Sequence, residues 1–188
     1  MVLSGSKRTI NGVIGRALAR GRVDAAPARV WAIVDGARDP RIGAAVRTAG
    51  TRAICLYGDD VPEPLANAAP WLAPMPPESS FGALFATAGR GRAWGVVLRS
   101  NRTRDEVAQH WISLLRARLP DGQVVLFRFY DPRVLRAYLP TCTPEELARV
   151  FGPCDGLLLE QHDAGQREYV VEGGRLIIRE PRWDLWVD

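Results

Sequence analysis

From Val30 onward, apolar runs and polar turn signals alternate along the chain and spell out strand and helix in turn. The run Val30-Trp31-Ala32-Ile33-Val34 ends at Asp35 and predicts a strand. Asp39-Pro40-Arg41 then opens a helix through Val46, because an N-cap carboxylate accepts bonds from free amides and proline at the first helical position lacks only a donor that would be unpaired anyway. A strand is expected at 52–57, followed by a proline-punctuated stretch, 61–77, around a short helix at 65–72. A short helix at 79–87, a strand at 94–99 and a long helix at 104–118 come next. Thr103 and Glu106 form a capping box for that long helix, and Val107, Trp111, Ile112, Leu115 and Leu119 make its apolar face.

The most apolar segment, 124–130, reads as a central strand covered by helices on both sides. Asp131-Pro132-Arg133 repeats the helix-start device and leads into Val134, Leu135, Tyr138 and Leu139. Thr143-Pro144-Glu145-Glu146 starts a further helix to Phe151. The chain closes with a strand near 156–160 and a hairpin, 167–172 and 175–180, turned by Gly173-Gly174. This pattern predicts an α/β fold with a mixed sheet flanked by helices and a C-terminal β-hairpin. Three regions follow: a basic segment at 1–28, read as a mobile tail or a partner-binding amphipathic helix; an α/β domain at 29–153; and a C-terminal strand, hairpin and aromatic tail at 154–188.

Composition narrows the function classes. The 188 residues, 47% of them hydrophobic and 24% charged, suit one compact domain, and no apolar run approaches the length of a transmembrane helix. Three cysteines, Cys55, Cys142 and Cys154, with no CxxC pair, argue against a disulfide framework and a structural zinc site, and favour a reducing cytoplasm. The net charge of +4 hides a gradient: +7 over residues 1–58, +1 over 59–130 and −4 over 131–188. All the basic residues except Lys7 are arginine, a bias of the kind a GC-rich bacterial genome imposes. Arginine abundance by itself therefore does not argue for nucleic acid, and no helix sets several basic residues on one face beside a turn and a second helix.

Catalytic chemistry is hard to place. The two histidines, His110 on the long helix and His162 in a polar loop, have no recognisable partners in the sequence. HExxH and GxSxG are absent, Lys7 is followed by Arg8 rather than Ser or Thr, and Gly89-Arg90-Gly91-Arg92 precedes a strand and reads as a turn. Cys142 lies just before a helix cap, a position that can activate a thiol, although a small partly buried residue is the simpler reading. No catalytic residue, metal or cofactor is assigned; an unrecognised enzyme site and an arginine-rich nucleic-acid binder stay open as alternatives. Arg128 inside an apolar segment and Asp35 at the end of the first strand are the polar residues that do not fit a plain core, and Asp131, Asp35 or a strand-end carbonyl can pair with that guanidinium.

Phe127-Arg128-Phe129-Tyr130-Asp131-Pro132-Arg133-Val134-Leu135 closely resembles the signature of the type VI secretion adaptor chaperones, the Tap or Tec proteins of domain of unknown function 4123. Other features fall in the same order: the segment from Trp31 through Asp35 to Asp39 and Pro40, then Ala69-Pro70-Trp71-Leu72, Trp94-Gly95-Val96-Val97-Leu98, His110-Trp111 and Phe151-Gly152-Pro153. The likeness spans about residues 30–153. It implies a non-enzymatic cytoplasmic chaperone that binds a cognate toxic effector and helps load it onto the VgrG spike, in some cases through a PAAR-type tip. It implies no role for a membrane, and it makes Asp35, Asp39, Phe127, Arg128, Phe129, Tyr130, Asp131, Pro132 and Arg133 fold-defining rather than contacts. Partner specificity is then expected in the flanks, with Tyr169, Trp183, Leu185 and Trp186 as candidate anchors, since aromatics are enriched at interfaces. The other reading of that tail is that it folds back over its own sheet.

Overall fold

The computed structural model describes residues 29–48, 53–76, 79–119 and 121–182. A seven-stranded sheet runs through the molecule in the order β2-β3-β1-β4-β7-β8-β9. Its strands are β1 (Arg29–Asp35), β2 (Ile54–Cys55), β3 (Pro70–Pro74), β4 (Gly95–Ser100), β7 (Gly156–Glu160), β8 (Gln166–Glu172) and β9 (Arg175–Arg179). Among the described residues every pairing in this sheet is antiparallel. A separate two-stranded hairpin joins β5 (Arg116–Arg118) to β6 (Val124–Leu126). The described helices are α1 (Pro40–Thr48), α2 (Glu63–Ala68), α3 (Ser80–Ala88), α4 (Arg104–Leu114), α5 (Pro132–Tyr138) and α6 (Pro144–Phe151). The α/β class, the helices flanking the sheet and the C-terminal hairpin stand as the sequence pattern has them.

Strand alternation sorts the core into two layers. In β1, Trp31 and Ile33 point to one face, where they join Val96, Leu98, Leu157 and Leu159 beneath Val107 and Trp111 of α4, Leu135 of α5, and Leu147 and Val150 of α6. Val30, Ala32 and Val34 point to the other face and pack with Ile42 and Val46 of α1 and Phe81 and Phe85 of α3. A strand covered on both sides has no solvated face, which is why 30–34 is an unbroken apolar run. Each fully buried Val, Leu, Ile or Phe contributes about 1.5–3 kcal/mol, so these two layers supply most of the driving force.

The helix starts follow the local chemistry. Thr103 and Thr143 each close a full capping box, with Glu106 and Glu146 reaching back to the N-cap amides. The helix expected at 65–72 ends at Ala68, since a residue before proline disfavours the helical region and Pro70 starts β3.

The expected central strand at 124–130 is corrected by the structure. Only Val124–Leu126 is strand, and it pairs with Arg116–Arg118 outside the main sheet. The helix expected at 104–118 accordingly ends at Leu114. Beyond Leu126 the chain leaves the ladder: the Phe127 amide donates to the Leu115 carbonyl at 2.9 Å, and the Asp131 amide turns back to the Arg128 carbonyl at 3.0 Å. Phe129 and Tyr130 are buried as part of a loop beneath α4, whereas Val124 and Leu126 of the short strand stay exposed, a difference that an unbroken apolar run does not reveal.

Candidate functional site

The motif at 127–133 lies against the end of β1. Phe129 is fully buried, with its ring 4.8 Å from that of Trp111, while Phe127 is half-buried and its ring lies 5.0 Å from Tyr138. Tyr130 is buried, and burial together with its hydrogen bond to Tyr57 pushes its hydroxyl well above the ordinary tyrosine range. These rings form the floor of the loop and tie it to α4 and α5.

Its polar residues cap and clamp. Asp131 accepts from the Arg133 amide at 3.0 Å as the N-cap of α5, and it holds the Arg133 side chain through Nε at 2.9 Å and Nη2 at 2.6 Å. Burial works to raise the Asp131 carboxyl, but the Arg133 hydrogen bonds outweigh it and hold the group below its ordinary value. Pro132 fills the first helical position, where its missing donor costs nothing. Asp39 plays the matching part before α1: Arg41 donates from its backbone and guanidinium, and those bonds bring the Asp39 carboxyl down to about 2.

Asp35 and Arg128, 93 residues apart in the chain, are brought together. The Arg128 Nη2 donates to Asp35 Oδ2 at 2.7 Å, and the Ala37 amide donates to Asp35 Oδ1 at 3.1 Å. Of the partners the sequence left open, Asp35 is the one that holds Arg128, and the expected burial of the guanidinium is corrected: the Asp35 side chain is 2% exposed, but that of Arg128 is 48% exposed. The guanidinium lies 5.7 Å over the Tyr130 ring and covers the buried carboxylate rather than being buried with it.

Two other sequence features meet in space. His110 Nε2 lies 2.9 Å from the Val150 carbonyl, and its ring sits where a side chain at Gly152 would go. Gly152 adopts φ 48°, so this C-cap needs glycine both for its backbone conformation and for the space the imidazole occupies. Burial lowers the His110 pKa, against the hydrogen bond at Val150, and the residue is a helix clamp. The Gly-Arg turn is likewise structural: the Gly91 and Ala93 amides donate to the Glu160 carboxylate at 2.7 and 3.0 Å.

The thiols are held protonated. Burial raises Cys55 and Cys142 and pushes Cys154 up to about 12, and the Cys142 Sγ donates to the Tyr138 carbonyl at 3.5 Å. Among the described residues no group of three His, Cys, Asp or Glu side chains is placed to hold a metal ion, and no helix is long and apolar enough to cross a membrane.

The candidate anchors fare differently. Tyr169 is 3% exposed and its ring belongs to the core beside Leu157 and Phe151, so it is corrected from partner anchor to core residue. Its position in β8 explains this, because alternation turns it toward α6. Trp183, Leu185 and Trp186, like the segment 1–28, lie outside the described residues.

Two features escape sequence reasoning. Glu168 in β8 is fully buried and is held by Arg179 Nε at 2.8 Å, with Arg99 Nη2 at 3.7 Å. An acid in an alternating strand carries no mark of burial, although Arg179 lies directly across the ladder from it. The second is a shallow apolar groove between α2, α4 and the β5–β6 hairpin, floored by Leu56 and Leu115 and edged by the exposed Leu65, Ile112 and Leu126. A signal for the hairpin exists in Pro120-Asp121-Gly122, a turn sequence flanked by short alternating segments.

No curated protein and no solved structure matches the chain. The family model described as Domain of unknown function (DUF4123) matches residues 30–149, from the first strand of the sheet into the last turn of α6, and leaves β7–β9 outside although β7 pairs directly with β4. With the motif cluster and the greater part of the sheet inside that match, the chain belongs to the DUF4123 family, which links it to type VI secretion.

Proposed function

We propose that this protein is a non-enzymatic adaptor chaperone of type VI secretion, which binds a cognate toxic effector in the bacterial cytoplasm and helps load it onto the VgrG spike or a PAAR-type tip. The observation that carries this reading is the family match over residues 30–149, which includes the whole 127–133 motif. The physical character of the motif supports it. Asp35, Asp39, Asp131 and Arg133 are engaged in caps and ion pairs, and Phe129 and Tyr130 are in the core, so these residues build a scaffold. An adaptor needs such a scaffold together with an adhesive surface, and it needs no constellation of acid, base and nucleophile. The raised thiols and the clamped His110 agree with that.

The test is a pull-down of the tagged full chain from its own bacterium under conditions in which the secretion genes are expressed, with mass spectrometry of the bound proteins. Stoichiometric recovery of a toxin-like protein or of VgrG is the expected result. Recovery of nucleic acid alone, or of no protein, overturns the proposal.

A further inference from the structure

The exposed large apolar side chains are unevenly distributed. Among the described residues they are Leu65 on α2, Ile112 on α4, Leu119, Val124 and Leu126 on or beside the β5–β6 hairpin, and Ile178 alone on β9. Leu65, Ile112 and Leu126 are 46%, 41% and 49% exposed and edge a single groove of about 600 Å³. That volume falls within the range of about 300–1,000 Å³ typical of ligand clefts, and a clustered apolar surface rimmed by charge marks an interaction site.

The rim is polarised. Arg116 lines the groove on the hairpin side, and Arg118 follows on the same face of β5, opposite Val124. Among the described residues the Arg116 side chain has no hydrogen-bond or ion-pair partner, although it is exposed at the edge of an apolar cleft. The exposed Asp59 and Asp60 lie in the chain between the lining residues Tyr57 and Val61. A strand is a poor occupant for this place. Among the described residues the strands at this groove are short, two residues in β2 and three each in β5 and β6, and prolines at 62 and 64 follow β2, so these edges offer little length for a partner strand.

Building on the adaptor reading, we infer that this groove is the cargo-docking surface and that its occupant is an amphipathic helix of the effector, with an apolar stripe seated between Ile112 and Leu126 and a carboxylate on the flank that faces Arg116. Charge complementarity sets the direction of the helix: acidic residues on the hairpin side and basic residues toward Asp59 and Asp60.

The test places the photo-cross-linking amino acid p-benzoylphenylalanine at Ile112 and, in a separate full-length chain, at Ile178, each expressed in the protein's own bacterium. Cross-linked peptides are mapped by mass spectrometry. The expected result is a cross-link from position 112, and not from 178, to an apolar helix carrying Asp or Glu on one flank. With that cargo in hand, Arg116→Glu is expected to weaken binding at least tenfold while Arg175→Glu on β9 leaves it unchanged; both variants keep the wild-type melting temperature. Cross-links from position 178 alone, to a second copy of this chain, or to a segment without that pattern overturn the groove assignment. So does an unchanged affinity for Arg116→Glu, and in each of these cases an effector or VgrG recovered by the tagged wild-type chain leaves the adaptor reading standing. Failure of both positions together with an empty pull-down removes the adaptor reading as well.

Discussion

Arg128→Ala is the perturbation whose effect follows most directly from the geometry. The mutation removes the guanidinium that donates to Asp35 Oδ2 at 2.7 Å and leaves a carboxylate with 2% exposure holding one remaining bond, from the Ala37 amide. Breaking a fully buried ion pair costs about 3–5 kcal/mol, but Arg128 is 48% exposed, so water reaches the site once the side chain is gone. The appropriate figure is that of a hydrogen bond to a charged group, about 1.5–3 kcal/mol. Loss of the contact over Tyr130 adds at most about 0.5–1 kcal/mol at a half-exposed site. For a chain of this length, 1 kcal/mol moves Tm by about 2–4 °C, so a cost of about 1.5–4 kcal/mol lowers Tm by roughly 3–16 °C. Thermal unfolding followed by circular dichroism reads this shift, and a double-mutant cycle with Asp35→Asn isolates the pair. The cycle is expected to give a coupling energy of at least about 1 kcal/mol, because residues in contact are non-additive. An unchanged Tm for Arg128→Ala, or additive single mutants, would refute the claim that this pair fastens the motif loop to β1.

Gly152→Ala is expected to destabilise by about 1–3 kcal/mol, measured by urea unfolding, since alanine at φ 48° is strained and its Cβ would overlap the His110 ring. The Asp131–Arg133 pair predicts an acid dependence: the folded carboxyl lies below 3.8, so its contribution is complete above that unfolded value and is lost as pH falls through the lower folded value. Stability curves of wild type and Asp131→Asn are therefore parallel above pH 3.8 and converge below it; parallel curves throughout would contradict the pairing. Because burial lowers the His110 pKa, stability attached to the neutral ring is complete above 6.5 and declines as pH falls through the lower folded value, a decline that is absent in His110→Gln. In the native chain at mildly alkaline pH, the half-buried Cys154 is expected to react with iodoacetamide more slowly than after denaturant is added, because desolvation raises its thiol to about 12; equal rates would contradict that.

How much of this was readable from residues alone depended on whether the signal was local. Caps are local, so Asp39-Pro40, Thr103 with Glu106, Asp131-Pro132 and Thr143 with Glu146 placed four helix starts within a residue. Double-sided burial of β1 was legible as an unbroken apolar run, and the same rule misled at 124–130, where Val124–Leu126 forms a short outer strand with exposed side chains and only Phe129 and Tyr130 pack inward as a loop. The Asp35–Arg128 contact was legible as a pair of misfits, because a charge in an apolar run calls for a partner. Its half-exposure was not, since the depth of a side chain depends on what lies above it. Tyr169 shows the converse: an aromatic near the end of the chain suggests an anchor, but strand alternation in β8 directs it into the core. The groove was least legible of all. Ile112 and Leu126 look like core residues in sequence, and only the packing of α2, α4 and the hairpin leaves them at the surface.

The measurement that bears most directly on the adaptor account is reconstitution with the effector and VgrG recovered from the bacterium. Each is purified and mixed with or without this chain, and complexes are resolved by size-exclusion chromatography with light scattering. The account predicts that effector elutes with VgrG only when the chain is present, and that the chain binds the effector on its own. Equal association of effector and VgrG in its absence, or no binding of the chain to the effector, would contradict it.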